Sequence, residues 1–187
     1  MTLLRLFAAA GAAVVMMGAA APGFAMTGAC FWAHLAPATR DAFLANYARM
    51  GADALDRVEV SSDEYAAMDS ACGAADSSAA TKDRLLGAVV IEHGSAVFLE
   101  GQLHWDAAAI EDAWGRISSD DMDWLHDQAR QVLRGQSDGT ADVTNIARAF
   151  LGPDADPDPG VLDQARAYIT SRAMREEIEQ RTAPRAD

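Results

Sequence analysis

The sequence predicts an all-α protein, an irregular bundle of about six helices with one disulfide, preceded by a cleaved signal peptide. Apolar residues recur at the spacing of one helical face in most segments, and capping residues or glycines stand at the ends of those segments. Of the 187 residues, 50% are hydrophobic and 23% are charged, which is enough apolar material for a packed core. We therefore expect a globular helical protein rather than a disordered one.

Residues 1–25 have the pattern of a secretory signal peptide. Arg5 gives a positive charge, residues 6–21 form an uninterrupted apolar run, and small residues precede a cleavage position after Ala25. The run is shorter than the roughly 20 apolar residues of a membrane-spanning helix. The sequence therefore predicts a mature chain that begins at Met26. We expect it in the periplasm of a bacterium or secreted, without a membrane span.

The mature chain, residues 26–187, is expected to form a single domain. Residues 74–80 are small and polar, which makes them the one candidate sub-boundary. After cleavage the chain has 14 basic against 28 acidic residues, a net charge of −14. Such a surface repels phosphate backbones and anionic lipid headgroups, so nucleic-acid binding is not expected.

Cys30 and Cys72 are the only cysteines, and both lie in the mature region. Export would deliver them to an oxidising compartment, so the sequence predicts a disulfide between them. Closing that loop stabilises a fold by about 4 kcal/mol in the chain-entropy model. An alternative is lipid attachment at Cys30, since residues 28–30 resemble the end of a lipobox. Thr27 argues against it, because a large aliphatic residue is expected there.

The first half of the mature chain is predicted to contain two helices. One spans 37–50, because a proline suits its first turn and Gly51 suits its end. Ser61 and Glu64 have the spacing of a capping box, which opens the second helix, and Gly73 ends it. The predicted disulfide would therefore join the N-terminal end of the mature chain to the end of this second helix.

Residues 82–101 fit either a helix or a hairpin. As a hairpin, residues 88–92 and 96–100 would be strands turned at 93–95, since Val-Val-Ile and Val-Phe-Leu favour strands. As a helix, three glycines would align into a strip that another helix approaches closely: Gly87, Gly94 and Gly101. We favour the helix, because a lone two-stranded hairpin would have no sheet to join.

Four further helices are predicted from their caps. The residues that stand at their N-termini are Asp106, Ser119, Asp142 and Asp158. Gly135 ends the second of these helices, and Gly152-Pro153 ends the third. The last helix carries three pairs of opposite charge at i and i+4: Arg172–Glu176, Arg175–Glu179 and Glu177–Arg181. These pairs predict a terminal helix with a solvated side.

Metal binding and cofactors are not predicted, although two patterns come near a metal site. Alternating aspartates before the last helix resemble a calcium loop: Asp154, Asp156 and Asp158. The glycine and the final glutamate of an EF-hand are missing at the required positions, so an acidic connector is the simpler interpretation. In an unbroken helix, His93, Glu100 and His104 would lie near one side and hold Zn²⁺. The simpler interpretation is ordinary histidines at helix ends or partly buried.

The sequence contains no recognisable catalytic constellation. Glu92 and Glu100 have apolar neighbours, as one member of a glycosidase-like carboxylate pair requires. With His104 they are the candidates for a hydrolase. A G-x-S-x-G motif, a glycine-rich phosphate loop and a haem-attachment motif are all missing from the sequence. We therefore lean away from an enzyme.

Three roles follow, in this order. The first is an exported helical protein that acts through contacts with a protein partner in the cell envelope. The second is a small-ligand-binding helical module built around His93, Trp105 and Trp114. The third is an envelope hydrolase. An apolar cleft lined by either tryptophan would favour the second role, and a carboxylate or histidine of strongly shifted pKa inside it would favour the third.

Overall fold

The computed structural model describes residues 26–152 and 154–183. The predicted signal peptide and Pro153 therefore lie outside the described residues. Eight α-helices and no strand are present in the described chain, which confirms the all-α class. None of the described helices combines the length and the apolar character that crossing a membrane requires.

The described chain runs through the eight helices in the following order. They are α1 (Gly28–His34), α2 (Pro37–Met50), α3 (Ser62–Ala71), α4 (Ala79–Leu103), α5 (Ala107–Trp114), α6 (Ser119–Leu133), α7 (Thr144–Leu151) and α8 (Pro159–Thr182). A 3-10 helix over Gly51–Arg57 follows α2. The seven-residue α1 was not expected, because so short a segment shows no helical periodicity in the sequence.

Side-chain caps set most of the helix starts that the sequence predicts. At α3, the Ser61 hydroxyl accepts a hydrogen bond from the Glu64 amide at 3.2 Å, and the Glu64 carboxylate accepts one from the Ser61 amide at 3.0 Å. Asp106 caps α5, and Asp158 caps α8 ahead of Pro159. These predicted caps are confirmed. The sequence could predict them because each cap depends only on residues within one turn.

Two predicted caps are wrong by one residue. The cap of α6 is Ser118 rather than Ser119, since Ser118 is the residue with extended backbone and Ser119 is already helical. Before α7, Val143 occupies the cap position and offers no side-chain hydrogen bond. The Asp142 carboxylate still accepts a hydrogen bond from the Thr144 amide at 2.9 Å.

Residues 82–101 lie inside the continuous 25-residue helix α4, so the helical interpretation is confirmed. The predicted glycine strip is only partly right. A Cβ atom on Gly94 would lie 2.5 Å from the Tyr47 ring, whereas one on Gly87 or Gly101 would meet no atom within 4 Å. The close approach is therefore to one aromatic side chain of α2, at one position.

The prediction of a solvated terminal helix is wrong for α8. This helix packs along α4 and also contacts α6 and α7. The three predicted pairs are present, each with a nitrogen–oxygen distance of 3.0 Å, but Glu177 is only 4% exposed. Arg130 of α6 donates a further hydrogen bond to Glu177 at 3.3 Å. Neighbouring helices cover most of these side chains, although Arg181 is exposed, and this covering was not evident from local spacing.

The buried apolar residues form two clusters, and α4 and α8 contribute to both. The N-terminal cluster includes Met26, Phe31, Phe43, Met68, Leu85 and Ile178. The C-terminal cluster includes Leu99, Ile110, Leu125, Phe150, Ile169 and Ala173. The two longest helices thus connect the two cores.

Cys30 in α1 and Cys72 at the end of α3 form a pair at disulfide distance, as predicted. Their sulfur atoms lie 2.00 Å apart and their Cα atoms 5.7 Å apart. On the opposite side, α1 is tied to α8, because the Gly28 amide donates a hydrogen bond to the Glu179 carboxylate at 2.7 Å. The short α1 is therefore held at both sides by residues distant in sequence.

Candidate functional site

Glu92 projects from α4 towards α8, where it forms a two-pronged ion pair with Arg175. The Arg175 Nε and Nη2 atoms donate to the two Glu92 oxygens at 2.6 and 3.1 Å. The Glu92 side chain is 15% exposed, and the Arg175 side chain is 19% exposed. Burial raises the pKa of the Glu92 carboxyl, while the hydrogen bonds and the charge of Arg175 oppose that rise. With both oxygens engaged, this carboxylate connects two helices.

His93 is half-buried and stacks on Trp32 of α1. The ring centroids lie 4.0 Å apart and the planes differ by 12°. Burial lowers the pKa of His93 to about 4, and the positive charges of Arg175 and Arg40 contribute to that fall. The imidazole is therefore neutral at neutral pH and acts as an aromatic packing group.

Trp105 and Trp114, the other predicted ligand-binding residues, pack against the C-terminal cluster. Trp105 lies edge-on to Phe150 with 5.8 Å between ring centroids, and Trp114 lies edge-on to Tyr168 at 6.5 Å. The Arg172 guanidinium sits 4.5 Å above the Trp114 ring. Neither tryptophan lines one of the large clefts described below.

The hydrolase candidates are not brought together. Glu92 and Glu100 are eight residues apart on the same helix, a rise of about 12 Å, which exceeds the separations of glycosidase carboxylate pairs. His104 is exposed at the end of α4, where its backbone is left-handed with φ 54°. The geometry therefore offers these three residues no shared substrate position.

The aspartates before α8 are exposed, and Asp158 acts as a helix cap. Its Oδ1 atom accepts a hydrogen bond from the Gly160 amide at 2.8 Å. Asp154 and Asp156 do not join it in a cluster of ligand atoms. Within the described residues, the side chains whose donor atoms converge as metal ligands are instead Cys30, His34 and Cys72.

A cleft of about 450 Å³, here named the apolar cleft, lies between α4, α6 and α8, at the connection between α6 and α7. Its lining residues are Ala52, Arg84, Gly87, Ala88, Ile91, Leu125, Gln128, Ala129, Val132, Gly139, Ala141, Val143, Ala167, Thr170, Ser171 and Met174. The lining contains aliphatic side chains and glycines, without an aromatic ring, a histidine or a carboxylate among the described residues.

The polar groups of the apolar cleft are few. The Ser171 hydroxyl donates to the Ala167 carbonyl at 2.7 Å, and the Thr170 hydroxyl donates to the Arg166 carbonyl at 2.8 Å. Among the described lining residues Arg84 alone is charged, and its Nη1 atom donates to the Leu133 carbonyl at 3.2 Å. No carboxylate of the described residues forms an ion pair with Arg84.

A second cleft, of about 490 Å³, lies on the other side of α4. It is lined by Leu35, Thr39, Phe43, Leu55, Val58, Glu59, Val60, Tyr65, Asp83, Leu86, Gly87 and Val90. The Tyr65 hydroxyl donates to the Asp83 carboxylate at 3.0 Å. Burial and the adjacent Asp83 raise the pKa of Tyr65 to about 12. This tyrosine therefore stays protonated and does not supply a base at neutral pH.

Comparison of the chain with protein-family models, with curated proteins and with solved structures found no match. The sequence did not point to the apolar cleft, because its lining comes from separate segments and consists of residue types that are ordinary in any helical core. Arg84 and Gly87 lie one turn apart on α4, but this spacing by itself is not a binding signal. The site is a product of tertiary packing.

Proposed function

We propose that the protein is an exported, non-catalytic binding protein whose apolar cleft takes a small amphiphile. The ligand class is an alkyl chain with a carboxylate head group. The observation that carries the proposal is the apolar cleft itself, whose volume of about 450 Å³ falls within the usual range of small-molecule sites. Such sites have an apolar lining and a few polar groups that orient the ligand, as this one has.

The lining favours a flexible aliphatic ligand over an aromatic one. The cleft offers side chains such as Ile91, Leu125 and Val132, and it offers no ring for stacking among the described lining residues. Burying an alkyl chain removes apolar surface from water and gains roughly 25 cal/mol per Å² before binding costs are subtracted. Two small residues, Gly87 and Ala88, leave room beside α4 for such a chain.

The charge of the lining favours an anionic head group. Arg84 is the one charged side chain among the described residues of the lining, and its guanidinium has donors beyond the one that binds the Leu133 carbonyl. Guanidinium groups bind carboxylates with paired hydrogen bonds. Gln128 adds a second polar side chain to the same lining. A carboxylate at Arg84 would place the alkyl chain against the aliphatic wall.

The alternative roles lack a comparable observation. A hydrolase needs an acid or a histidine at the substrate, and the described residues lining the apolar cleft include neither. The second cleft has Glu59 and Asp83 in its lining, but the hydrolase candidates Glu92, Glu100 and His104 line neither cleft. Contacts with a protein partner were the first expectation from the sequence. Among the described residues, four large apolar side chains are exposed, and they come from four different elements: Met50, Leu55, Val97 and Trp124. That role stays a prediction.

Export is supported by the pattern of residues 1–25 and by the paired cysteines. The test is intact-mass analysis of protein recovered from the periplasmic fraction of a bacterial host, with and without reductant. We expect a chain that begins at Met26, without a lipid, and two hydrogen atoms lighter before reduction than after. A mass that retains residues 1–25 would contradict export.

Ligand binding is tested by titration calorimetry with decanoate as the probe. Gly87→Met places a long side chain where no atom lies within 4 Å, so we expect it to fill the space beside α4 without disturbing the fold. We expect it to weaken decanoate binding about tenfold or more, equivalent to about 1.4 kcal/mol. Gly101→Met is the matched control, because it has the same open surroundings on the same helix and lines neither large cleft.

Arg84→Gln tests the head-group contact and also shows which of the two clefts binds the ligand. Gly87 lines both clefts, whereas Arg84 lines only the apolar cleft. We expect this variant to weaken decanoate binding severalfold and to leave the affinity for decanol unchanged. Arg134→Gln, at an exposed arginine that ends α6, is the control. Absence of saturable binding by wild type, or equal binding by wild type and Gly87→Met, would reject the proposal.

A further inference from the structure

His34 lies against both sulfur atoms of the cysteine pair. Its Nδ1 atom is 3.6 Å from the Cys30 sulfur and 3.7 Å from the Cys72 sulfur. Cys30 and His34 share one face of α1 at i and i+4, and the end of α3 brings Cys72 to them. All three donor atoms lie within 4.8 Å of one another. Two sulfurs and an imidazole nitrogen are thus gathered at one point.

The distances from the imidazole to the sulfurs match those of a zinc site. Zinc binds thiolate sulfur at about 2.3 Å and imidazole nitrogen at about 2.1 Å in tetrahedral geometry, which sets the sulfur–nitrogen distance at about 3.6 Å. The nitrogen therefore already lies at the distance from each sulfur that a third ligand would have. Two thiolates on one zinc ion lie about 3.8 Å apart, so the bond between the two sulfur atoms would first have to be broken.

We propose that reduction of the Cys30–Cys72 bond creates a zinc site made of these two cysteines and His34. A dithiol donor supplies two electrons and two protons, the sulfur–sulfur bond breaks, and two thiols form while the donor becomes a disulfide. Zn²⁺ then displaces both thiol protons and keeps its oxidation state. The Nδ1–H of His34 donates to the Cys30 carbonyl at 2.9 Å in the oxidised form. On zinc binding the imidazole carries its proton on Nε2 instead.

The site would be open on one side. Cys72 is fully buried, whereas His34 is exposed, so a cation would be covered by the protein on the α3 side and reached from the His34 side. Three protein ligands leave one position of the tetrahedron for water. The cysteine pair therefore has two exclusive states, a disulfide when oxidised and a cation site when reduced. The proposal does not rest on the apolar cleft, which these residues do not line.

The test uses the full mature chain, reduced with a phosphine that is then removed without air. Zn²⁺ is titrated in competition with a chromophoric chelator, and Co²⁺ is used as a spectroscopic substitute. We expect one Zn²⁺ per reduced chain, and with Co²⁺ the sulfur-to-metal charge transfer and the intense visible bands of a tetrahedral thiolate site. The oxidised chain should bind neither ion at this stoichiometry.

Variants assign the ligands. His34→Ala keeps both thiols, and we expect it to weaken zinc binding by at least tenfold. Cys72→Ser should abolish the stoichiometric binding. His104→Asn is the matched control, because it also removes an exposed histidine and asparagine tolerates the left-handed backbone at that position. Equal zinc affinity of reduced wild type and His34→Ala would overturn the proposal.

If reduction by itself unfolds the helices, the zinc site can still be tested by refolding. Metal binding contributes its free energy to folding when the ligands are assembled only in the folded state. We then expect Zn²⁺ to restore the far-ultraviolet circular dichroism of reduced wild type, and not that of reduced His34→Ala. Failure of Zn²⁺ to restore the wild-type signal in that case would equally reject the site.

Discussion

Glu92 and His93 are neighbours in the middle of α4, and burial disfavours charge on both. Glu92 keeps a partner of opposite charge, since the Arg175 guanidinium binds both of its oxygens. His93 faces Trp32 and lies near the positive charges of Arg175 and Arg40, which add to the effect of burial. At neighbouring positions, α4 thus carries a carboxylate paired with a positive charge and a histidine that stays neutral.

His93 is expected to make the stability of the protein depend on pH. Its pKa is about 4 in the folded protein against an ordinary value of 6.5. The unfolded chain therefore binds more protons between these values, so the free energy of unfolding falls as the pH is lowered from 6.5 to 4. The contribution of His93 to this loss is at most about 3 kcal/mol.

His93→Phe tests this dependence, because phenylalanine keeps an aromatic ring against Trp32 and cannot titrate. Urea unfolding between pH 4 and pH 7 should show a smaller loss of stability for the variant than for wild type. His104→Asn, at an exposed position, should follow the wild-type profile. Parallel profiles of wild type and His93→Phe would contradict the assignment.

At the level of elements, Tyr47 positions α2 on the two long helices. Its hydroxyl donates to the Gln164 side chain of α8 at 2.7 Å and lies 2.7 Å from the Ser95 hydroxyl of α4. Burial raises the pKa of Tyr47, so the hydroxyl keeps its proton. Gly94 gives the ring the space to reach these partners. Moving the ring would disturb both contacts.

Gly94→Ala and Gly101→Ala are expected to change stability in opposite directions. A methyl group at Gly94 would overlap the Tyr47 ring, so we expect a loss of about 1–3 kcal/mol. At Gly101 the methyl group meets nothing within 4 Å, and removing a glycine from a helix should gain about 0.5 kcal/mol. Chemical denaturation of the two variants measures both effects, and changes of the same sign would contradict this account.

At the scale of the whole molecule, the two apolar clusters are connected by shared helices. α4 contributes Leu85 to one cluster and Leu99 to the other, and α8 contributes Ile178 and Ile169 in the same way. Neither cluster retains all its members if one of these helices unfolds. The sequence-based prediction of a single domain therefore implies one cooperative unfolding transition.

Phe31→Leu and Phe150→Leu test this cooperativity, because they alter the two clusters separately. We expect each to lower the free energy of unfolding by about 1 kcal/mol and to shift the same transition. Far-ultraviolet circular dichroism and tryptophan fluorescence should report coincident midpoints in both variants. Two transitions, each moved by only one of the substitutions, would indicate separate folding units.

Local signals were sufficient for the helical class and for most helix boundaries. Three of these signals act within one turn of the chain: the capping box of Ser61 and Glu64, the cap at Asp106 and the glycine after α2. They can therefore be recognised from the sequence without knowledge of the fold. The cysteine pairing needed no geometry either, because only one intramolecular pairing exists for two cysteines.

The candidate sites required the folded chain, because they are contacts between residues far apart in sequence. Glu92 and Arg175 are 83 positions apart, and the apolar cleft is assembled from three α-helices, the connection between α6 and α7, and Ala52 of the 3-10 helix. The charged face of α8 has the spacing of a solvated surface, yet α4 and α6 cover much of it. Periodicity locates the faces of a helix, but packing alone selects which face is buried and what it meets.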